Sequence, residues 1–237
     1  MYSDDLLKAD GRSMTLYSRR PIPTGLQAPT PNSAALDPQP HFRFHPLRNE
    51  WVAFAAHRQA RTFLPPPEWN PLAPMTSPEV PTEMPVGDYD AAVFPNLFPS
   101  LAMTARGLSE QKGLNVETAP AKGVCEVVVF AQDSHSTLGG LPLSHIELIF
   151  EIWGDRTRRI KQNSEIRYIM PFENRGVEMG VTLHHPHGQI YAYPFIPPLA
   201  ARELQSQSDY FKKNSVGLLE KMAKDEIDEK TRLVYSG

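Results

Sequence analysis

Apolar residues along this chain gather into short β-branched and aromatic runs separated by long polar or proline-rich stretches. Such a pattern predicts strands joined by extended loops. Trp51-Val52-Ala53-Phe54-Ala55 and Ala91-Ala92-Val93-Phe94 read as strands, and Val124 to Ala131 is a more strongly β-branched one. Next, Ile146, Ile149, Phe150, Trp153 and Ile160 recur at helical spacing, which predicts a helix with a core-facing apolar stripe. Ser144 is its expected cap, with Glu147 three residues on completing a capping box. Ile166 to Phe172 and Gln189 to Phe195 predict two further strands. A charged segment from about Ala200 to Glu229 predicts a long helix, and Thr231 to Gly237 reads as the opening of another strand. This order of elements argues for an α+β domain with a largely antiparallel sheet and flanking helices.

The 24 prolines are unevenly placed, and residues 21–40 and 64–85, rich in Pro, Thr and Ser, predict extended loops. The expected organisation is a Pro-rich, mobile segment at residues 1–40, one domain at 41–230 and the start of a truncated second half at 231–237. With 41% apolar residues, 22% charged residues and a net charge of −3, the chain is an ordinary globular sequence without the basic footprint of a nucleic-acid or anionic-membrane binder. The single cysteine, Cys125, excludes an internal disulfide and reads as a small buried hydrophobe. No apolar run reaches the roughly 18 residues of a membrane span, and Met1-Tyr2-Ser3-Asp4-Asp5 is unlike a secretory signal, so a cytoplasmic protein is expected.

Candidate chemistry concentrates in His184-His185-Pro186-His187-Gly188-Gln189, which holds three of the eight histidines. If the following strand begins here, His185, His187 and Gln189 project to one face, because strand side chains alternate with period two. An imidazole can serve as nucleophile, general base or metal ligand, and its neutral form is well populated near pH 7. On spacing alone the run also fits a solvated histidine patch.

Phe172-Glu173-Asn174-Arg175-Gly176, continuing through Met179-Gly180 to His185-Pro186-His187-Gly188-Gln189, resembles the active-site signature of galactose-1-phosphate uridylyltransferases, in the histidine-triad superfamily. His57-Arg58-Gln59-Ala60-Arg61, Val93 to Leu101 and Phe130 to Leu138 match in the family's order. The resemblance implies a histidine-triad-like fold and a double displacement: UDP-glucose passes its uridylyl group to a histidine, and galactose 1-phosphate collects it. His187 matches the nucleophile, and Gln189 the glutamine that holds the phosphoryl oxygens. Asn174, Gly180 and Thr182 match positions near the uridylyl phosphate, Arg58 and Arg61 the arginine pair near the substrate phosphates, and Asn96 an asparagine of the nucleoside pocket. Leu97 stands where an aspartate commonly follows, so a ribose contact is expected to be lost or supplied differently.

The resemblance also implies a zinc site from two cysteines, a histidine after the central strand and the first histidine of His-Pro-His. Here those positions hold Asn70, Ala73, Ser134 and His185, so no tight zinc is expected; a weaker site using His185, His135 or His184 stays open. A second family metal site would use Glu203, but no histidine follows His187 in the chain, so Glu203 is expected to be a helix-surface carboxylate. The expected partners are UDP-hexose and hexose 1-phosphate, with a homodimer or a complementary C-terminal chain completing the site. A free-standing UDP-sugar hydrolase, an inactive interaction module and an adenylyl rather than uridylyl donor are alternatives.

Overall fold

The computed structural model of the chain describes residues 1–31, 37–60, 69–108, 116–181 and 183–235. By its internal contacts the chain divides into two compact units, Met1–Pro194 and Phe195–Gly237. The first unit contains β1 (Tyr2–Leu7), β2 (Ser13–Ser18), β3 (His41–His45), β4 (Glu50–Phe54), β5 (Ala91–Pro95), β6 (Thr118–Pro120), β7 (Val124–Val129), α1 (Leu143–Lys161), β8 (Tyr168–Phe172) and β9 (His187–Tyr193). A six-stranded sheet runs β1-β2-β5-β7-β9-β8, and a three-stranded sheet runs β4-β3-β6. The strand pairings in both sheets are antiparallel, giving the α+β architecture expected.

Period-two alternation in the central strands builds two cores. Ala91 and Val93 of β5, Val128 of β7, and Ile190 and Ala192 of β9 pack against Leu148, Ile149, Ile152 and Ile160 of α1. Ala92 and Phe94, with Val127 and Val129, face the other way, onto Leu72 and Met84 from the proline-rich stretch, Tyr89 just before β5, and Met14 and Leu16 of β2. That second face carries the candidate site. Gly188 belongs to the first face: a Cβ there would stand 2.7 Å from the Phe130 ring, so a side chain would wedge β9 off its neighbour.

The structure differs from the sequence expectations at several points. Residues 2–18, placed by sequence in a Pro-rich N-terminal segment, form a hairpin that joins the main sheet through β2 and β5. Ser144 does not cap α1, because Pro142 occupies the cap position and no side chain bonds there. The stripe is also rotated, with Phe150 60% exposed while Leu148 and Ile152 are buried. In the second unit the single long helix is two, α2 (Pro198–Asn214) and α3 (Leu218–Glu229), separated where Ser215 takes a left-handed conformation (φ 56°) and its N–H bonds the Phe211 carbonyl. Glu203 is exposed on α2, and no strand forms among the described residues of 231–237. No helix among the described residues is long and apolar enough to cross a membrane.

Candidate functional site

The second face of the main sheet opens into a cavity of about 470 Å³. His187, Gln189 and Tyr191 enter it as alternate residues of β9, while Phe94 of β5 and Val127 of β7 supply its apolar floor. The ladder places Val127 beside Gln189 and Val129 beside His187, so both polar side chains stand on central strands rather than on a loop. Arg58, Asn96, Asn174 and Gly180 complete the polar wall. Asn96 Oδ1 accepts the Phe98 N–H at 2.8 Å, bending the chain after β5 and leaving the carboxamide nitrogen without a partner among the described residues. The Arg58 guanidinium donates to the Phe98 carbonyl, which ties the short 3₁₀ turn Ala56–Ala60 to the same loop. Gly180 holds φ +70°, a conformation glycine adopts without the Cβ penalty.

The protonation of His187 follows from its partner. Its Nδ1 lies 2.7 Å from the His185 carbonyl oxygen, which can only accept, so Nδ1 carries the hydrogen. The lone pair of the neutral ring is therefore on Nε2, for which no partner exists among the described residues. Burial holds the His187 pKa below the ordinary imidazole value, outweighing the opposing effect of the carbonyl bond.

His185 is 2% exposed and does not line this cavity, contrary to the expectation that it would share a face with His187 and Gln189. The reason is Pro186, which has no N–H for the ladder; β9 begins only at His187, and the Pro186 carbonyl accepts from Phe130 N–H at 3.1 Å. Both ring nitrogens of His185 are engaged. Nε2 donates to the Ala131 carbonyl at 2.7 Å, and Nδ1 accepts from Asn70 Nδ2 at 2.9 Å. The Asn70 amide cannot be reversed without penalty, since its Oδ1 takes the Leu72 N–H at 3.0 Å. His185 is thus locked neutral, and burial, the largest influence, likewise lowers its pKa.

These residues do not suit a zinc ion. Neither His185 nitrogen has a lone pair to give, Asn70 is committed to two hydrogen bonds, and among the described residues no three His, Cys, Asp or Glu side chains gather to hold a metal. His135 and His184 are exposed and line a separate hollow of about 340 Å³ with Ser134, Arg175 and His185. Cys125 is buried, and burial pushes its thiol up to about 11, which disfavours the reactive thiolate.

The structure therefore brings His187, Gln189, Arg58, Asn96, Asn174 and Gly180 to one cavity, while Arg61 and Thr182 lie outside the described residues. Sequence reasoning passed over Tyr191, although extending the alternation from His187 and Gln189 reaches it. It also passed over Glu83, a buried carboxylate in the cavity wall, whose only signal is an acid set between prolines in Pro81-Thr82-Glu83-Met84-Pro85.

Residues 32–197 match the family described as galactose-1-phosphate uridyl transferase, N-terminal domain. The chain is 41% identical over 155 residues to the galactose-1-phosphate uridylyltransferase of Thermotoga maritima, covering 65% of this chain and 47% of that protein. To the Streptomyces lividans enzyme of the same name it is 36% identical over 167 residues, covering 69% of this chain and 41% of that protein. Among solved structures, one described as a uridylyltransferase superposes with a TM-score of 0.67 at 27% identity, covering 83% of this chain and 59% of the other. The chain spans about half the length of the curated relatives it matches.

Proposed function

Because this chain belongs to the galactose-1-phosphate uridyl transferase family, matching its N-terminal domain, we propose that it carries the nucleotidyl-transfer centre of a UDP-glucose:hexose-1-phosphate uridylyltransferase. His187 Nε2 attacks the phosphorus that bears the uridine, forming an N–P bond while the P–O bond to glucose 1-phosphate breaks. A phosphate oxygen of galactose 1-phosphate then attacks the same phosphorus. The N–P bond breaks, UDP-galactose leaves and the ring returns neutral. The imidazole becomes cationic while it holds the uridylyl group, and the His185 carbonyl, 2.7 Å from Nδ1, is placed to stabilise that charge. Gln189 donates to the phosphoryl oxygens, Arg58 neutralises phosphate charge, and Asn96 donates to the nucleoside. Asn174 and Gly180 stand at the phosphate end, with Arg61 and Thr182 given the same assignment by sequence.

The observation that carries this reading is the His187 Nδ1–H bond to the His185 carbonyl, which leaves Nε2 as a free nucleophile in the cavity. No metal enters the chemistry proposed. The hexose-phosphate acceptor site is completed by a complementary C-terminal half or a second copy of the chain, and a reducing, cytoplasmic setting suits the lone buried thiol of Cys125. The test is an exchange assay with UDP-glucose labelled in the uridylyl group and galactose 1-phosphate, with and without a complementary C-terminal half. Labelled UDP-galactose that disappears in His187→Ala is the expected result. Release of labelled UMP alone would identify a hydrolase, and no turnover under either condition would contradict the proposal.

A further inference from the structure

Glu83 is the one acidic side chain among the described residues lining the cavity, and it is 4% exposed. A carboxylate so buried persists as an anion only when its charge is balanced. Arg12 Nη2 donates to both of its oxygens, at 3.1 and 2.9 Å, and Lys8 Nζ lies 2.8 Å from Oε2. Asp10 balances the second cation through Arg12 Nε at 2.8 Å. Glu83 is therefore a carboxylate held in a charge-balanced cluster in the cavity wall, with its partners supplied by the β1–β2 connection, in a part of the chain that precedes the family match.

Its position is fixed as closely as its charge. The same guanidinium donates through Nη1 to the Pro95 carbonyl at 2.9 Å, which ties the carboxylate to the exit of β5, beside Asn96 and Leu97. In the sheet β5 is separated from β9 by β7, roughly 10 Å across two strand spacings, so the Pro95 anchor of the Glu83–Arg12 pair stands away from the strand that carries His187. A carboxylate offers about four acceptor positions. Oε2 uses two, whereas Oε1 takes only one Arg12 contact and keeps capacity for a donor. That acceptor position suits a hydroxyl donor.

We propose that Glu83 forms a hydroxyl-binding subsite of this cavity, its Oε1 accepting from the vicinal diol of the nucleotide's ribose while the phosphates lie at His187 and Gln189. This rests on the nucleotide reading above and supplies the ribose contact that Leu97 cannot make. The test is calorimetric titration of the whole chain with UDP and with 2′-deoxy- and 3′-deoxy-UDP, repeated for Glu83→Gln, together with a crystal structure of the wild-type UDP complex. The wild type is expected to bind UDP about 10- to 100-fold tighter than at least one deoxy analogue, as for a hydrogen bond to a charged group. Glu83→Gln is expected to bring that ratio to within about threefold. In the complex a ribose hydroxyl is expected within hydrogen-bonding distance of Glu83 Oε1, a readout that stands even if the variant does not fold. Tight UDP binding with no deoxy discrimination, discrimination unchanged in Glu83→Gln, or a diol directed away from Glu83 overturns the subsite and leaves the nucleotide reading standing. Failure of the wild type to bind UDP overturns both.

Discussion

At the His187 end of the cavity the supporting groups are neutral: the Asn70 amide, the His185 ring and the Ala131 carbonyl, joined by bonds of 2.9 and 2.7 Å. At the Glu83 end they are ions, with Lys8 and Arg12 set against Asp10 and Glu83. The contrast fits the role proposed for each end. A nucleophilic imidazole needs its proton on a chosen nitrogen and no cation beside it, and an amide clamp provides that without adding charge. A subsite for hydroxyl groups needs a strong acceptor, and a buried carboxylate can exist only with cations around it. The two ends should therefore fail in different ways.

The largest effect is expected from Arg12→Met, which leaves Asp10 and Glu83 short of a cation and should lower unfolding stability in urea by about 3–5 kcal/mol. Asn70→Ala strips one hydrogen bond from a buried neutral ring and should cost about 1–3 kcal/mol. A larger loss for Asn70→Ala than for Arg12→Met would reverse the ranking and sink the comparison.

Acid should separate the ends further. His185 and His187 have folded-state pKa values below the unfolded value of about 6.5, so the unfolded chain binds more protons in that range. Their contribution is complete above about pH 6.5 and declines as pH falls through the folded values. Burial would raise the Asp10 carboxyl, but the hydrogen bonds from Arg12 and Thr30 outweigh it and hold Asp10 below the ordinary value. Its contribution is present above about pH 3.9 and is lost only as pH falls through the lower folded value. Denaturation midpoints followed from pH 8 to 4 should show the histidine loss first, and a flat profile between pH 7 and 5 would contradict it. The smallest effect is expected at His135, 93% exposed in its side chain, where His135→Ala should change stability by less than about 0.5 kcal/mol.

The central strands, α1 and the cavity-facing pair His187 and Gln189 were legible because each is written in local periodicity. The hairpin at residues 2–18 was not, since Asp4 and Asp5 interrupt the apolar signal of β1 and the proline-rich stretch that follows suggests a loop. His185 was misplaced because alternation was carried through Pro186, where the ladder cannot continue. The loss of thiolates at residues 70 and 73 was visible in sequence, but the direct Asn70–His185 bond was not: it joins residues 115 apart. The Lys8–Arg12–Glu83 cluster escaped for the same reason, since Arg12 and Glu83 are 71 residues apart and neither carries a motif.

In the mechanism proposed, His187 Nε2 is a neutral nucleophile poised by the His185 carbonyl without a metal. The most direct measurement is tandem mass spectrometry of the wild-type chain, prepared in chelator, quenched after mixing with UDP-glucose and mapped by peptide. A uridylyl adduct at His187, absent from His187→Ala and undiminished by the chelator, is the result the account predicts. An adduct at another residue, or one that forms only when zinc is restored, would contradict it.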